Sequence, residues 1–475
     1  MLIGRKKQVK RLEEALLLNS SSFIAVTGRR RIGKTFLIDT VYEENICFRM
    51  TGIQGVEIQA QLNNFLSKLM EYSNTTHDSK IANWQEAFLL LKTYLKGLDK
   101  NKKHVIFIDE LPWVHTPKSG FIQYLAHFWN DFLSKEKHFI LVICGSATSW
   151  ITKKVLNDKG GLHNRLTDII HLQAFTLQET KLFFESKQFV NTYQTIAEFY
   201  MILGGIPYYL QQIKRGESPS VAIERLCFKE DGILRNEYQN LYKALFQNYA
   251  AHEIIVDVLS TAKYGISRDE IIKKTGLKAG GEYTRTMEDL ILSGFVVEET
   301  IFGRIKKGSL YRLVDEYSVF YHQFIKNNKK YKLGLWNQIS TSQPYKIWKG
   351  FAFESLCKKH ISPIKKVLGI SGIYTEESVF VKKGTDENKG FQIDLLIDRK
   401  DACINLCEIK YYAGQFEISK DYALDLLNKK QGFIEQTKTK KQVFLTLISN
   451  YGLKDNAYAK EVIDVELTLE QFFEN

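Results

Sequence analysis

The segment that most constrains this chain is 23–39, FIAVTGRRRIGKTFLID. Four apolar residues predict a buried strand, two glycines then bracket four residues, and a helical pattern begins at the Lys-Thr pair. The pattern G-x-x-x-x-G-K-[ST] between strand and helix is typical of a loop that cradles phosphates with backbone N–H groups. A glycine turn that merely joins two elements is the weaker interpretation. We therefore predict a nucleoside triphosphate bound by Gly28, Arg29, Arg30, Arg31, Ile32, Gly33, Lys34 and Thr35.

Phosphate chemistry assigns roles to the last two of these residues. Lys34 is expected to reach the β- and γ-phosphates, and the Thr35 hydroxyl to hold Mg²⁺. A second apolar run, residues 105–108, ends in Asp109 and Glu110, as expected for a buried parallel strand whose carboxyl end faces the site. Asp109 is predicted to assist magnesium binding and Glu110 to polarise the attacking water, although two carboxylates can also simply end a strand.

Two further polar residues leave alternatives open. Ser146 follows the apolar run 139–144, where it would either sense the γ-phosphate or only cap the next helix. Arg165 precedes an expected last strand at 169–172 and is a candidate for stabilising transition-state charge, from the same chain or from a neighbouring subunit. A solvated surface arginine is the other interpretation. If Arg165 acts on a neighbouring subunit, the protein forms a homo-oligomer.

Four motifs in order, GRRRIGKT, IFIDELPW, ICGSATSW and GGIPYYL, resemble the prokaryotic archaeal-type ATPases of the AAA/STAND branch of P-loop proteins. The resemblance covers residues 1–245 and implies ATP as the nucleotide. It implies an ASCE-type sheet, with an extra strand between the two nucleotide-site strands, and a helical lid. It also implies that the Gly-Arg pair before the first helix docks beside the nucleotide, and that Gly205 and Pro207 form a lid turn near it. An arginine of the usual lid-sensor type is not evident.

Composition narrows the class of protein. The 475 residues carry a net charge of +12, which favours a polyanionic partner, although a diffusely basic surface is the alternative. From residue 351 onward there are 18 basic and 19 acidic residues, so the positive excess lies before that point. The six scattered cysteines show neither zinc spacing nor a disulfide framework, and apolar runs stay below the roughly 18 residues of a membrane span. A cytoplasmic location without a membrane partner is expected.

A change of pattern after residue 250 predicts a DNA-binding module. Helices are expected at 254–262, 267–275 and 281–293, followed by a hairpin of 295–299 and 309–314. Three helices and a basic hairpin are typical of a winged helix-turn-helix. Acidic residues at 282, 288 and 289 dilute the charge, and many such modules only pack, so a packing role stays open. The residues expected to meet DNA are Tyr283, Arg285, Arg304, Lys306 and Lys307.

The last 125 residues carry an independent set of charged residues. A helical segment, 347–360, holds Glu354; a strand holds Asp394; and the next strand, INLCEIK, places Glu408 and Lys410 on one face. This order is similar to the PD-(D/E)xK nuclease superfamily. The resemblance implies that Asp394 and Glu408 hold Mg²⁺ or Mn²⁺, that Lys410 orients the attacking water, and that Glu354 adds a ligand. Gln415 is a weaker candidate, and a surface Glu-Lys pair is the plain alternative.

The predicted fold class is α/β: a P-loop ASCE ATPase with a helical lid, a winged helix-turn-helix and a C-terminal α/β restriction-endonuclease-like domain. The predicted domains are 1–175 (ATPase core), 176–245 (lid), 246–325 (winged helix), 326–346 (linker) and 347–475 (nuclease-like). The resulting hypothesis is an ATPase that binds DNA and cleaves it, in mobile-element or defence processes. Two alternatives stay open. One is a nucleotide-operated signalling switch, and the other a DNA-binding regulator with an inactive nuclease domain.

Overall fold

The computed structural model divides the chain into two compact units, Met1–Ala174 and Phe175–Asn475. The part of the chain that it describes is all of the sequence except residues 1, 77–79, 157–159, 163, 247, 304–307, 329–331, 333, 383, 385–389 and 475.

The first unit is built on a five-stranded, entirely parallel sheet of order β2-β3-β4-β1-β5. The strand that the family resemblance places between the two nucleotide-site strands is confirmed, since β4 lies between β1 and β3. The strands are β1 (Ser22–Thr27), β2 (Ile46–Thr51), β3 (His104–Asp109), β4 (Phe139–Gly145) and β5 (Asp168–His171). The helices are α1 (Lys6–Leu17), α2 (Lys34–Tyr42), α3 (Ile58–Ser73), α4 (Trp84–Lys96), α5 (Leu111–Val114), α6 (Phe121–Asp131) and α7 (Thr148–Ile151).

Burial on both faces explains why these strands read as continuous apolar runs. Every residue of β1 and β4 is buried, as in a sheet covered by helices on both sides. Trp84 of α4 lies at the centre of the aromatic packing, with its ring centroid 4.7 Å from that of Phe121 and 5.8 Å from that of Phe65. This core fixes the carboxyl ends of β1, β3 and β4 relative to one another.

The second unit begins with short helices: α8 (Leu177–Ser186), α9 (Tyr193–Leu203), α10 (Pro207–Gln211), α11 (Pro219–Ile223) and α12 (Glu237–Leu245). Residues 221–242 have apolar residues at helical spacing, but they do not form one continuous helix. After α11 the chain makes a π-helical turn, Glu224–Phe228, and then a loop closed by hydrogen bonds from the N–H of Gly232 to the Lys229 carbonyl and from the N–H of Leu234 to the Leu226 carbonyl. Apolar spacing alone does not reveal such a break, because both halves keep a helical period.

Three helices and a two-stranded antiparallel sheet follow, within one residue of the predicted bounds except for the first helix, which spans 249–260 and not 254–262. Ser267 caps α14 in a reciprocal capping box with Glu270, which explains the sharp start of that helix. The elements are α13 (Tyr249–Ser260), α14 (Arg268–Thr275), α15 (Gly281–Leu292), β6 (Val296–Glu299) and β7 (Leu310–Leu313).

The described residues of the segment predicted as a linker, 326–346, are mostly helical. After α16 (Glu316–Phe320) come α17 (Leu335–Thr341) and α18 (Gln343–Lys359). Trp336 is only 1% exposed, and its ring stacks 5.2 Å from that of Phe228. The polar, lysine-rich composition hides this contact, because Trp336 and Tyr345 are buried, whereas Lys332 and Lys346 are exposed.

The C-terminal elements form a five-stranded mixed sheet of order β12-β11-β10-β9-β8. β8 and β10 each pair antiparallel with β9, whereas β10, β11 and β12 run parallel. The elements are α19 (Ile361–Val367), β8 (Thr375–Lys382), β9 (Phe391–Arg399), β10 (Cys403–Lys410), α20 (Lys420–Thr437), β11 (Gln442–Ser449), α21 (Ala457–Val462) and β12 (Val465–Thr468). Across the described residues, none of the helices has the length and apolarity to cross a bilayer.

Because of His360, which follows α18, we expect the stability of the second unit to fall at acidic pH. Its Nε2 accepts a hydrogen bond from the Leu177 N–H (3.0 Å), so its Nδ1 carries the proton and donates to the Leu356 carbonyl (2.8 Å). Burial lowers the pKa of this imidazole to about 4. The unfolded chain therefore binds more protons between pH 6.5 and 4. The stabilisation, about 3 kcal/mol, is complete above about pH 6.5 and is lost as the pH falls toward 4.

Hydrogen exchange of amides 175–475 at pH 7.5 and pH 5 tests this, with His360→Asn as the matched variant. The wild type is expected to lose more protection on acidification than the variant, which is less stable at pH 7.5 from the start. Equal losses in the two proteins would contradict the role of His360.

Candidate functional site

The loop between β1 and α2 has the backbone geometry that phosphate binding requires. Gly28 adopts φ +144°, where a Cβ would collide with the carbonyl oxygen of Leu172. Gly33, at φ +86°, ends the loop directly before α2. The loop residues between them include three partly exposed arginines and the buried Ile32. The two glycines therefore allow turns that other residues adopt only with strain.

Lys34 points into this loop from the first position of α2. Its ammonium donates to the carbonyl oxygens of Gly28 and Arg29, both at 2.9 Å, and to the Ser146 hydroxyl at 3.3 Å. The side chain is buried, so its charge lies at the centre of the loop rather than in solvent. A positive charge held there is suited to β- and γ-phosphate oxygens.

The carboxyl ends of β3 and β4 bring the remaining predicted residues to the same place. The Thr35 hydroxyl donates to the Asp109 carboxylate at 2.8 Å, which gives the hydroxyl and carboxylate oxygens that Mg²⁺ prefers. The Glu110 carboxylate accepts from the Ser146 backbone N–H at 3.0 Å and from the Ser146 hydroxyl. Ser146 does not cap α7, since the residue before that helix is Ala147 and makes no side-chain cap. Ser146 thus joins Lys34 to Glu110.

Arg5 belongs to the Gly-Arg pair noted in the sequence, and it contacts the phosphate loop. It is buried, and its guanidinium donates to the Ile32 carbonyl at 3.4 Å. Arg165, in contrast, is exposed in the segment before β5. Gly205 and Pro207 belong to the second unit, where Pro207 is the first residue of α10, and their place near a nucleotide stays a prediction.

A second candidate site lies on β9, β10 and α18 of the second unit. Asp394 of β9 accepts a hydrogen bond from the backbone N–H of Ile409 in β10, at 3.1 Å. The two residues flanking Ile409, Glu408 and Lys410, form an ion pair of 2.9 Å. Asp394, Glu408 and Lys410 are therefore brought together as the sequence predicts.

Glu408 has two partners that the sequence analysis did not identify. Lys429 of α20 pairs with its carboxylate at 3.2 Å, and the Tyr422 hydroxyl donates to it at 2.7 Å. Burial would raise the pKa of Glu408, but Lys410 and Lys429 outweigh that effect and lower it. Tyr422 and Lys429 are seven residues apart, which places both on one face of a helix. This spacing is the feature of the sequence from which the two partners could have been identified.

Glu354 completes the charge cluster from α18. Burial, followed by the negative charge of Asp394, raises the pKa of Glu354 to about 8. Burial and the charge of Glu408 raise the pKa of Asp394 to about 6. Two partly buried carboxyl groups that disfavour each other's charge are an environment that a bound cation would stabilise.

The side chains as placed do not form a complete metal cage. Within the described part of the chain, no three His, Cys, Asp or Glu side chains group closely enough to hold a metal ion. Gln415 is exposed in the segment between β10 and α20. The donor chemistry of Asp394 and Glu408 suits a divalent cation, whereas Lys410 and Lys429 already neutralise Glu408.

The residues predicted to contact DNA differ in their exposure to solvent. Tyr283 is 3% exposed and belongs to the buried stripe of α15, so the prediction that it contacts DNA is wrong. Arg285 is exposed, and its Nε–H donates to the Gly281 carbonyl at 3.1 Å. Arg304, Lys306 and Lys307 lie outside the described residues.

The loop, the parallel sheet and the Asp-Glu pair of the first unit define an α/β P-loop ATPase fold. Residues 2–213 match the family described as the ATPase domain predominantly from Archaea. This part of the chain is accordingly similar to archaeal-type ATPase domains, and the match supports ATPase activity.

Two similar proteins come from Methanocaldococcus jannaschii. The uncharacterized protein MJECL04 is 25% identical over 419 residues, which cover 86% of this chain and 88% of that protein. The uncharacterized ATP-binding protein MJ1659 is 25% identical over 283 residues, covering 58% of this chain and 70% of that protein. Among solved structures, a Walker-type ATPase of Pyrococcus abyssi is 17% identical, with a TM-score of 0.49, and the match covers 68% of this chain and 96% of that one.

Proposed function

We propose that this chain hydrolyses ATP in its first unit and cleaves DNA with a divalent metal in its second. The observation that carries the ATPase part is the set of contacts joining Lys34, Ser146 and Glu110 at the mouth of the phosphate loop. The observation that carries the nuclease part is the cluster of Asp394, Glu408 and Lys410 on adjacent strands. The positive charge that precedes residue 351 favours a polyanion such as DNA.

At the first site, the chain's own residues divide the work of phosphoryl transfer. Lys34 would bind the β- and γ-phosphates, and Thr35 and Asp109 would hold Mg²⁺, which neutralises phosphate charge when bound. Glu110 orients the attacking water. Ser146 contacts both Lys34, which would bind the phosphates, and Glu110, which would orient the water. These contacts support a role for Ser146 in sensing the γ-phosphate.

At the second site, Asp394 and Glu408 would hold Mg²⁺ or Mn²⁺, with Glu354 as a further carboxylate beside them. The bound cation supplies charge for the scissile phosphate and lowers the pKa of a water molecule. Lys410, already 2.9 Å from Glu408, orients that water or offsets the charge that develops on the phosphate. Lys429 keeps Glu408 ionised, so that its carboxylate is ready to act as a ligand.

We interpret α13, α14 and α15 with the β6–β7 pair as a winged helix, and we infer that Lys306 and Lys307, which lie between β6 and β7 in the sequence, contact DNA. Changing Lys306 and Lys307 together to Ala should weaken DNA binding similarly for all sequences. The slope of log affinity against log salt should flatten by up to about two units, because each lost phosphate contact removes about 0.9. Binding titrations at several salt concentrations measure this.

The matched control changes Lys273 and Lys274, two exposed residues in the last turn of α14, to Ala. Both double variants remove the same charge, so only a specific wing contact separates them. An equal change of slope in the two variants would leave the winged helix as a packing module.

A second candidate function is an ATP-operated binding switch with an inactive C-terminal site. It is favoured by one observation, the neutralisation of Glu408 by Lys410 and Lys429. Incubation of supercoiled plasmid with Mg²⁺ or Mn²⁺, with and without ATP, decides between the two. We expect nicking by the wild type and none by Asp394→Asn. Intact plasmid under every condition would favour the switch.

A further inference from the structure

We propose that Lys263 and Tyr264, in the turn after α13, line the edge of the site formed by Glu354, Asp394 and Glu408. We further propose that this site binds single-stranded DNA. The inference rests on the proposed nuclease function, because it names the substrate class of that site. The turn and α18 contact each other although almost ninety residues separate them in the sequence.

Both side chains of the turn contact the same ring of α18. The Tyr264 ring meets the Phe351 ring edge to face, with centroids 5.3 Å apart, and the Lys263 ammonium lies 4.7 Å from the centroid of Phe351. Phe351 precedes Glu354 by three residues on the same helix, so the two lie on one face about one turn apart. The turn is therefore placed beside the carboxylates.

The backbone of the turn is fixed. Gly265 adopts φ +76°, and its N–H donates to the Ala262 carbonyl at 3.0 Å. The next residue, Ile266, exchanges two hydrogen bonds with Tyr311 of β7, at 3.1 and 2.9 Å. The hairpin thus holds Lys263 and Tyr264 against α18.

The electrostatic environment of Tyr264 agrees with this placement. Burial, followed by the charges of Glu354 and Asp394, raises the pKa of its hydroxyl, whereas Lys410 and Lys429 oppose that rise. The side chain is nevertheless 52% exposed. An aromatic ring that is open to solvent and close to the reacting groups can accept a base.

A second exposed ring lies just after β10, the strand that carries Glu408 and Lys410. Tyr412 follows Lys410 by two residues and is 57% exposed. Its backbone is held by the buried amide of Asn450 through two hydrogen bonds of 2.8 Å. Its ring lies 5.9 Å from that of Phe416, which lies 5.5 Å from that of Tyr422, the hydroxyl donor to Glu408.

Exposed aromatic rings beside lysines are the combination that binds single strands. Unpaired bases stack on such rings, whereas duplex bases stack on one another and leave only phosphates to contact. Tyr264 and Tyr412 therefore favour DNA with unstacked bases, and Lys263 provides a charge for the adjacent phosphate.

Binding of fluorescein-labelled oligo(dT) of about 16 nucleotides, against a hairpin duplex of equal charge, tests the inference. The full chain is used without divalent metal, so that no DNA is cleaved. The wild type should prefer oligo(dT). Tyr264→Ala should lose roughly tenfold in oligo(dT) affinity and little in duplex affinity, while Tyr264→Phe should retain both because the ring remains.

Tyr374→Ala is the control, since Tyr374 is 65% exposed and directly precedes Thr375, whose partner Arg399 lies at the end of the sheet away from Lys410. Equal losses on both DNAs, no loss, or a wild type without preference would overturn the inference. If oligo(dT) binding depends on Tyr264 but neither oligo(dT) nor plasmid is cleaved with Mg²⁺ or Mn²⁺, the nuclease proposal fails and the substrate class stands.

Discussion

Glu110→Gln is expected to stop ATP turnover while leaving ATP bound. Glutamine keeps the shape of the side chain and an oxygen that can accept from the Ser146 N–H, but it cannot take up a proton from water. Loss of a general base lowers a rate by about 10²-fold or more. Phosphate release and equilibrium nucleotide binding, measured on the same preparation, separate the two effects.

The matched controls are Glu44→Gln, which makes the same chemical change at an exposed residue, and Lys34→Ala. The first should hydrolyse ATP at the wild-type rate. The second should lose tight binding, because the charge that meets the β- and γ-phosphates is gone. Equal phosphate release by wild type and Glu110→Gln would show that Glu110 is not the catalytic carboxylate.

At the second site, Asp394→Asn and Lys410→Ala should both abolish DNA cleavage, for different reasons. Asp394→Asn removes the charge of a proposed metal ligand, so metal affinity should fall as well. Lys410→Ala removes a group that is not a ligand, so metal binding should persist while cleavage falls by about 10²-fold or more. Plasmid nicking and manganese titration are needed on each variant.

Lys400→Ala is the control for Lys410→Ala, because Lys400 is exposed in the turn after β9. It should nick plasmid like the wild type. A Lys410→Ala variant that loses metal and cleavage together would indicate that the lysine maintains the structure of the site and does not act in the chemistry.

The first site was predictable because its signals are local. Buried parallel strands read as apolar runs, and the residues after each run necessarily meet at one edge of the sheet. The phosphate loop, Asp109, Glu110 and Ser146 all follow this rule. What the sequence left open, whether Ser146 caps a helix, depended on a hydrogen bond between β3 and β4 that no local pattern contains.

The second unit was predictable in its strands and less so in its helices. Period-two patterning placed Asp394, Glu408 and Lys410 correctly, but the partners of Glu408 come from α20 and needed the tertiary fold. Tyr283 was misassigned although its buried neighbours at 286, 287 and 290 show a helical stripe.

Manganese calorimetry on the nucleotide-free full chain tests the central proposal most directly. Divalent metal should bind to wild type and to Thr35→Ala, a variant that affects only the nucleotide site, and its binding should be strongly weakened in Asp394→Asn. An isotherm for Asp394→Asn that matches the wild type would contradict the account, because the carboxylate cluster of the second unit would then hold no metal.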